Sequence, residues 1–253
     1  MIPVNELATT RHGTVCVHRF DAYVGQSCLL YGEFSGEEAD FLCALVGPGS
    51  VVVDGGANVG ALTLPLARRV GEFGLVVAVE PQRLTFQALC ATVASNHLTN
   101  VRTEHAALGK ARGEILVPPL DLTRAQNVGG FSVKGHSAGE PVRMLAIDDL
   151  KLPHVTLLKL DLEGMERDAL VGAADTIRRC QPMLYVENDR EEHSAALLED
   201  MKRLGYRCFW HKPPLYRRHN FRDVRHNIFP GIVSVNVLAL PKHDTRDLGL
   251  EGA

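Results

Sequence analysis

Apolar positions along the 253-residue chain follow two alternating rhythms. Short apolar runs stand at Val51-Val52-Val53, at Val76-Val77-Ala78-Val79 and at residues 183–186, and a further one, interrupted by Lys159, at residues 156–160. Such runs suit strands buried on both faces. Between them, apolar residues recur three and four apart: Leu62, Leu66 and Val70; then Phe86, Leu89 and Val93, ending near Asn96. The same spacing joins Leu170, Ala173 and Ile177 within 165–179, and Leu197, Leu198, Met201 and Leu204 before Gly205. These predict helices, and Gly205 is a good terminator. Pro65 falls near a first helical turn, where its missing N–H costs least. Further strands are expected at 101–105, 206–210 and 232–240. Strands alternating with helices predict an α/β fold built on a doubly wound, largely parallel sheet.

Residues 1–49 read as a leading cap segment on a core spanning 50–240, all within one domain of 1–253. The segment carries short strands at Val15-Cys16-Val17 and Ser27-Cys28-Leu29-Leu30, then a helix over 37–46 through Phe41, Leu42 and Leu45. Gly47-Pro48-Gly49 stops that helix. Residues 113–147 alternate and turn, with Gly129-Gly130 and Gly135 as punctuation, and predict an inserted β-hairpin region.

Composition changes this picture little. Apolar residues at 45% and charged residues at 23% are globular values, so disorder is not expected. No run approaches a membrane-spanning length, and the first residues lack a basic-then-apolar signal, so no membrane partner is expected. The six cysteines contain no Cys-x-x-Cys pair and read as reduced thiols, which implies a cytoplasmic location. A net charge of −3 gives no reason to expect nucleic acid. Charge is uneven, however: residues 202–226 hold eight Lys/Arg against one acid, Asp223. That stretch is a candidate site for a phosphorylated acceptor such as a nucleotide-linked sugar. A solvated face, or a subunit contact in a homodimer, is the other meaning of a charge run.

The candidate chemistry starts at Asp54-Gly55-Gly56-Ala57-Asn58-Val59-Gly60, a glycine turn between a strand and a helix. Such a turn lets a ligand approach main-chain N–H groups. Twenty-six residues beyond Asp54, the next strand ends in Glu80-Pro81, where a Rossmann-type fold grips the two hydroxyls of an adenosine ribose. An adenosyl cofactor follows. The dinucleotide fingerprint fails, because aligned on Gly55 its third position is Ala57. Read as Asp-x-Gly-x-x-x-Gly through Asp54, Gly56 and Gly60, the turn resembles the first motif of class I S-adenosylmethionine-dependent methyltransferases. There it faces the cofactor's amino-acid part. Asn58 departs from that motif's frequent middle glycine. The alternatives are a nicotinamide-dependent oxidoreductase and a non-catalytic adenosyl-cofactor-binding module.

In a doubly wound sheet, ligands bind outside the carboxyl ends of the first and fourth strands. Two acidic strand tips meet there: Lys159-Leu160-Asp161-Leu162-Glu163 and Glu187-Asn188-Asp189. Asp161 is the leading general base or acceptor-aligning residue, with Glu187 beside it, and His211 is a further proton acceptor. Glu163, Glu187 and Asn188 form a candidate oxygen set for Mg²⁺, although their spacing is not diagnostic and no residue is assigned to a metal. Helix capping is the bland role for these acids, and hydrogen-bonded packing for His211.

In combination, Tyr31-Gly32-Glu33, VVVDGGANVG, AVEP, HAALG, KLDLEGME and LYVEND resemble the FkbM-type methyltransferase family over most of residues 25–240. The stretches Phe209 through Leu215 and Asn227-Ile228-Phe229 continue the likeness. The resemblance implies a Rossmann-like seven-strand sheet with an antiparallel last strand, and S-adenosylmethionine as cofactor, leaving S-adenosylhomocysteine. It implies O-methylation of a small-molecule hydroxyl acceptor, a sugar or polyketide. It also implies that Asp54, Gly55, Gly56, Asn58 and Gly60 serve the cofactor's methionine end, and that Glu80 and Pro81 serve its ribose. Ala106 and Ala107 would line the adenine, and Tyr31 and Glu33 would close over the amino acid. Asn127-Val128-Gly129-Gly130 would gate the methyl group or form an exposed turn.

Overall fold

The computed structural model describes residues 3–130 and 135–253; four residues of the expected insertion, 131–134, and the first two of the cap segment lie outside them. A seven-stranded sheet forms the centre. Its strands are β3 (Val51–Gly55), β4 (Leu75–Glu80), β5 (Val101–His105), β9 (Leu157–Leu160), β10 (Met183–Glu187), β11 (Tyr206–His211) and β12 (Asn236–Pro241). They lie in the order β11-β12-β10-β9-β3-β4-β5. β3, β4, β5, β9 and β10 pair in parallel, while β12 runs antiparallel to both β10 and β11. The expected α/β class with one antiparallel C-terminal strand is therefore observed.

Both faces of the sheet are covered, which is why its central strands are apolar apart from the buried pair of Asp54 and Lys159. On one face, Leu42 and Leu45 of α2 (Gly36–Leu45) and Leu66 and Val70 of α3 (Thr63–Val70) pack over Val52, Val76, Leu157 and Tyr185. On the other, Leu170 of α5 (Glu166–Val171), Ile177 of α6 (Ala174–Cys180) and Leu197 and Met201 of α7 (Glu191–Arg203) cover Val53, Leu158, Leu160 and Leu184. α4 (Arg83–Ser95) packs Ala88 against the N-terminal hairpin of β1 (Asn5–Thr10) and β2 (Gly13–His18).

Four local expectations are corrected. Ser27–Leu30 is not a strand but part of helix α1 (Val24–Tyr31), since Val24, Cys28 and Tyr31 recur at helical spacing and bury one face. Asp21 starts this helix by accepting the N–H groups of Tyr23 and Gly25. The helix expected over 165–179 is broken into α5 and α6 at Gly172. A Cβ there would lie 2.1 Å from the carbonyl oxygen of Gly109, and only a glycine tolerates that approach. The last strand begins at Asn236 rather than 232. Residues 232 and 234 hydrogen bond instead to Leu215 and Pro213, peeling that segment off the sheet. The insertion holds the expected antiparallel pair, β7 (Gly113–Val117) with β8 (Glu140–Leu145), and β6 (Ala107–Leu108) adds a third strand to it.

Candidate active site

The first strand of the parallel core and the fourth, β3 and β9, are neighbours, so their carboxyl ends open onto one cleft of about 320 Å³. The glycine turn lies at its floor. Gly56 has φ +70°, and a Cβ on it would stand 1.8 Å from the Asp161 carbonyl oxygen, so no other residue lets β3 and β9 close up. Asn58 has φ +50°, a left-handed conformation that asparagine tolerates better than most residues. This accounts for asparagine where the related motif has glycine. Its side-chain carbonyl accepts the N–H of Val59 at 2.7 Å.

At the tip of β4, Glu80 accepts the N–H of Asn58 at 2.9 Å and of Gln82 at 2.8 Å, one on each oxygen. Burial outweighs both bonds and raises its carboxyl to about 7. Beside it, the buried Thr85 hydroxyl lines the cleft with no hydrogen-bond partner among the described residues. Pro81, Ala106 and Ala107 also line the cleft.

At the other end, Lys159 is nearly inaccessible and donates to the carbonyl oxygen of Gly56 at 3.2 Å. Its ammonium lies 3.1 Å from Asp54 and 3.8 Å from Asp161. Burial opposes its charge, but these two carboxylates raise its pKa above the usual lysine value. Asp161, Glu163 and Glu187 bring carboxylate oxygens within 4.8 Å of one another. Glu163 is held by Arg190 at 2.6 Å, yet burial and then the charge of Asp161 lift it to about 7. Glu187 is raised well above its ordinary value by burial, then by the charges of Asp161, Glu163 and Asp189.

Several expected site residues do not line this cleft. The Asp54 carboxylate is fully buried; one oxygen accepts the Thr63 hydroxyl at 2.6 Å and the other faces only Lys159. Gly55 and Gly60 are packing positions, backed by Leu160 and Leu89 respectively. Tyr31 turns away to the C-terminal loop, where its hydroxyl donates to the His226 carbonyl oxygen and accepts the Ile228 N–H. Glu33 is taken by Arg217 through two bonds of 2.5 and 2.7 Å. His211 stacks on Phe41 and meets the Tyr185 hydroxyl at 2.8 Å, with burial lowering its pKa to about 4. Asn188 donates to Ser194 rather than joining the acid group.

Residues 127–130 do line the cleft, but Val128 is buried and its N–H donates to Asp21, so this is not a free exposed turn. None of the basic-loop arginines lines the cleft. Arg217 serves Glu33 and Asp40, and Arg222 donates to the carbonyl oxygens of Leu29 and Thr9. The loop contributes apolar and amide walls instead, through Leu215 and residues 232–236. Glu38 also lines the cleft. The sequence offered no signal for it, because an acid in the first turn of a helix reads as an ordinary surface charge.

Sheet order and cleft position together define a class I, Rossmann-like methyltransferase fold. Residues 54–208 match the methyltransferase FkbM domain, and the chain belongs to that family. Among solved structures, it is similar to a methyltransferase FkbM from Methylobacillus flagellatus KT, with a TM-score of 0.51 and 17% identity over 76% of this chain. The chain spans 44% of the length of that protein. A precorrin-6y C5,15-methyltransferase from Geobacter metallireducens GS-15 gives a TM-score of 0.54 at 12% identity, covering 81% of this chain and 88% of its own. A SAM-dependent O-methyltransferase from Thermotoga maritima gives 0.50 at 14%, covering 96% and 79%. At these identities the likeness is one of fold. No curated protein sequence matches the chain. No helix among the described residues is long and apolar enough to cross a membrane.

Proposed function

We propose that the chain is an S-adenosylmethionine-dependent O-methyltransferase acting on a hydroxyl of a small cytoplasmic acceptor, a sugar or secondary metabolite. One observation carries the cofactor choice. Among the described residues lining the cleft, six are carboxylates (Glu38, Glu80, Asp161, Glu163, Glu187 and Asp189) and one is a cation, Lys159, itself paired. Such a lining repels a diphosphate and suits a ligand bearing a sulfonium and an ammonium. The nicotinamide alternative loses its footing on the same ground.

The residues present fit this cofactor. Glu80 offers its carboxylate to the ribose hydroxyls, and the unpartnered Thr85 hydroxyl stands ready beside it. Gly56 and Asn58 leave the turn open to the amino-acid part. When bound, the cofactor supplies an activated methyl group. Asp161 aligns the acceptor hydroxyl and takes its proton, and Glu187 adjoins it as the next proton holder. His211 is out of reach of the acceptor behind Tyr185 and has no direct part.

A divalent cation is a second reading, favoured by the hard-oxygen group of Asp161, Glu163 and Glu187. Glu163 is already neutralised by Arg190, which weakens the set. Calorimetry with MgCl₂ alone separates the two readings: heat that vanishes in Asp161→Asn supports the metal, and no heat removes it.

The function is tested by titrating the purified protein with S-adenosylhomocysteine, where micromolar or tighter binding is expected and silence at saturation overturns the reading. Asp161→Asn is expected to keep that affinity while abolishing transfer of label from S-adenosylmethionine to hydroxyl acceptors.

A further inference from the structure

Glu38 stands in the first turn of α2. It is 5% exposed and lines the cleft, yet it makes no ion pair with any described residue. All its partners are neutral. Ser35 donates its hydroxyl to Oε2 at 2.7 Å, the Asn236 amide donates to Oε1 at 3.4 Å, and the Tyr185 hydroxyl acts on the carboxylate as a neighbouring neutral group. Tyr185 is in turn fixed by His211 Nδ1 at 2.8 Å, whose ring is clamped on Phe41. Side chains from the N-cap of α2, from β10 and from β12 therefore surround one carboxylate inside a cavity, with His211 of β11 behind Tyr185. Burying an anion among neutral donors costs several kcal/mol, roughly, and is tolerated where a cation completes the site.

Position narrows what that cation is. Across the sheet, the order β4-β3-β9-β10 places Glu80, the glycine turn, Asp161 and Glu187 in succession. With the ribose at Glu80, the cofactor's amino acid extends over the turn toward β9 and β10. Glu38 stands there, beside Tyr185, which is the register partner of Lys159, itself the partner of Asp54. Adjacent strands are roughly 4.8 Å apart, so Tyr185 on β10 lies about two strand spacings from β3, whose end carries the turn. Resting on the proposed cofactor, we propose that Glu38 is the counter-ion of the cofactor's α-ammonium group, and that Tyr185 and His211 are positioning residues that aim it. Tyr185 and His211 thereby acquire a role without touching the reacting atoms.

Three probes test this by calorimetry: S-adenosylhomocysteine, its deamino analogue, and 5′-methylthioadenosine, which lacks the amino acid altogether. The wild type is expected to favour S-adenosylhomocysteine over the deamino analogue by roughly 30-fold or more, the loss that follows removal of one partner of a buried charge pair. Glu38→Gln should reduce that preference to within about 3-fold while leaving 5′-methylthioadenosine affinity unchanged, which also reports that the variant is folded. Should Glu38→Gln fail to fold, Tyr185→Phe keeps the packing and is expected to lose a smaller part of the preference. An undiminished preference in the folded Glu38→Gln variant, or in both variants, overturns the assignment. A changed preference for S-adenosylmethionine over S-adenosylhomocysteine, with ammonium discrimination intact, assigns Glu38 to the sulfonium and likewise overturns it. Failure of the wild type to bind any of the three refutes the cofactor itself, a distinct outcome.

Discussion

Lys159 and Asp54 are register partners on neighbouring parallel strands, and their charged groups meet at 3.1 Å with both side chains shut off from water. The acid of the glycine-turn motif thus works behind the cleft. It holds the lysine that ties β9 to the Gly56 carbonyl oxygen. A buried pair of this kind is costly to break from one side, because the survivor is left charged in a dry place. Lys159→Met is expected to destabilise the protein by about 3–5 kcal/mol. The double variant Asp54→Asn, Lys159→Met should recover part of that loss. Urea unfolding of the two variants checks this, and a double variant no better than Lys159→Met would contradict it.

Gly56→Ala is a second prediction. The added methyl must go where the Asp161 carbonyl oxygen already is, at 1.8 Å, and the backbone must keep a φ of +70°. The left-handed backbone alone costs about 1–2 kcal/mol, and the clash pries β3 from β9 at the cleft floor. A lower melting temperature together with lost S-adenosylhomocysteine binding is expected. Wild-type affinity in a folded variant would show that the turn can shift freely.

Glu80 makes a third prediction, with a definite sign. Its folded carboxyl titrates at about 7 against an ordinary 4.5. Between those values the folded protein keeps a proton that the unfolded chain releases, so stability falls as pH rises through that window. Glu80→Gln does not titrate, so the wild type should lose stability relative to it from pH 4.5 to 7 and then level off. Cofactor affinity should run the opposite way, because the ribose hydroxyls prefer the ionised carboxylate. Titrations across this range should show binding that strengthens toward a plateau above pH 7 in the wild type and stays weak and flat in Glu80→Gln.

The sheet was legible from sequence because its central strands are apolar on both faces and its helices keep an apolar stripe. Glu80 and Asp161 were legible for the same reason: each is the first polar residue after such a run, and a strand tip leaves a side chain little freedom over where it goes. Asp54 misled because the same rule puts it at a tip, while a lysine three core strands along in sequence claims it in space. Glu38 and Glu33 show the limit more sharply. They lie five residues apart in one short segment, and only the fold decides that Arg217 reaches Glu33 while Glu38 enters the cleft. Arg217 is 184 residues from Glu33, a separation no local pattern encodes.

That ion pair yields the last prediction, and it separates two roles for Glu33. Arg217 grips Glu33 with two nitrogens and reaches Asp40 at 2.7 Å with a third contact, pinning the basic loop onto the start of α2. Both the Glu33 and Arg217 side chains are largely buried, at 5% and 14% exposure, so the pair is not screened like a surface bridge. If the pair serves to hold the loop, Arg217→Met and Glu33→Gln should act alike. Each should speed hydrogen exchange in residues 216–231 and weaken S-adenosylhomocysteine binding to a similar, modest extent, because the loop supplies Leu215 and Ser234 to the cleft wall. If Glu33 instead closes over the cofactor, Glu33→Gln should weaken binding far more than Arg217→Met does. Equal effects on affinity, accompanied by equal loosening of the loop, are expected.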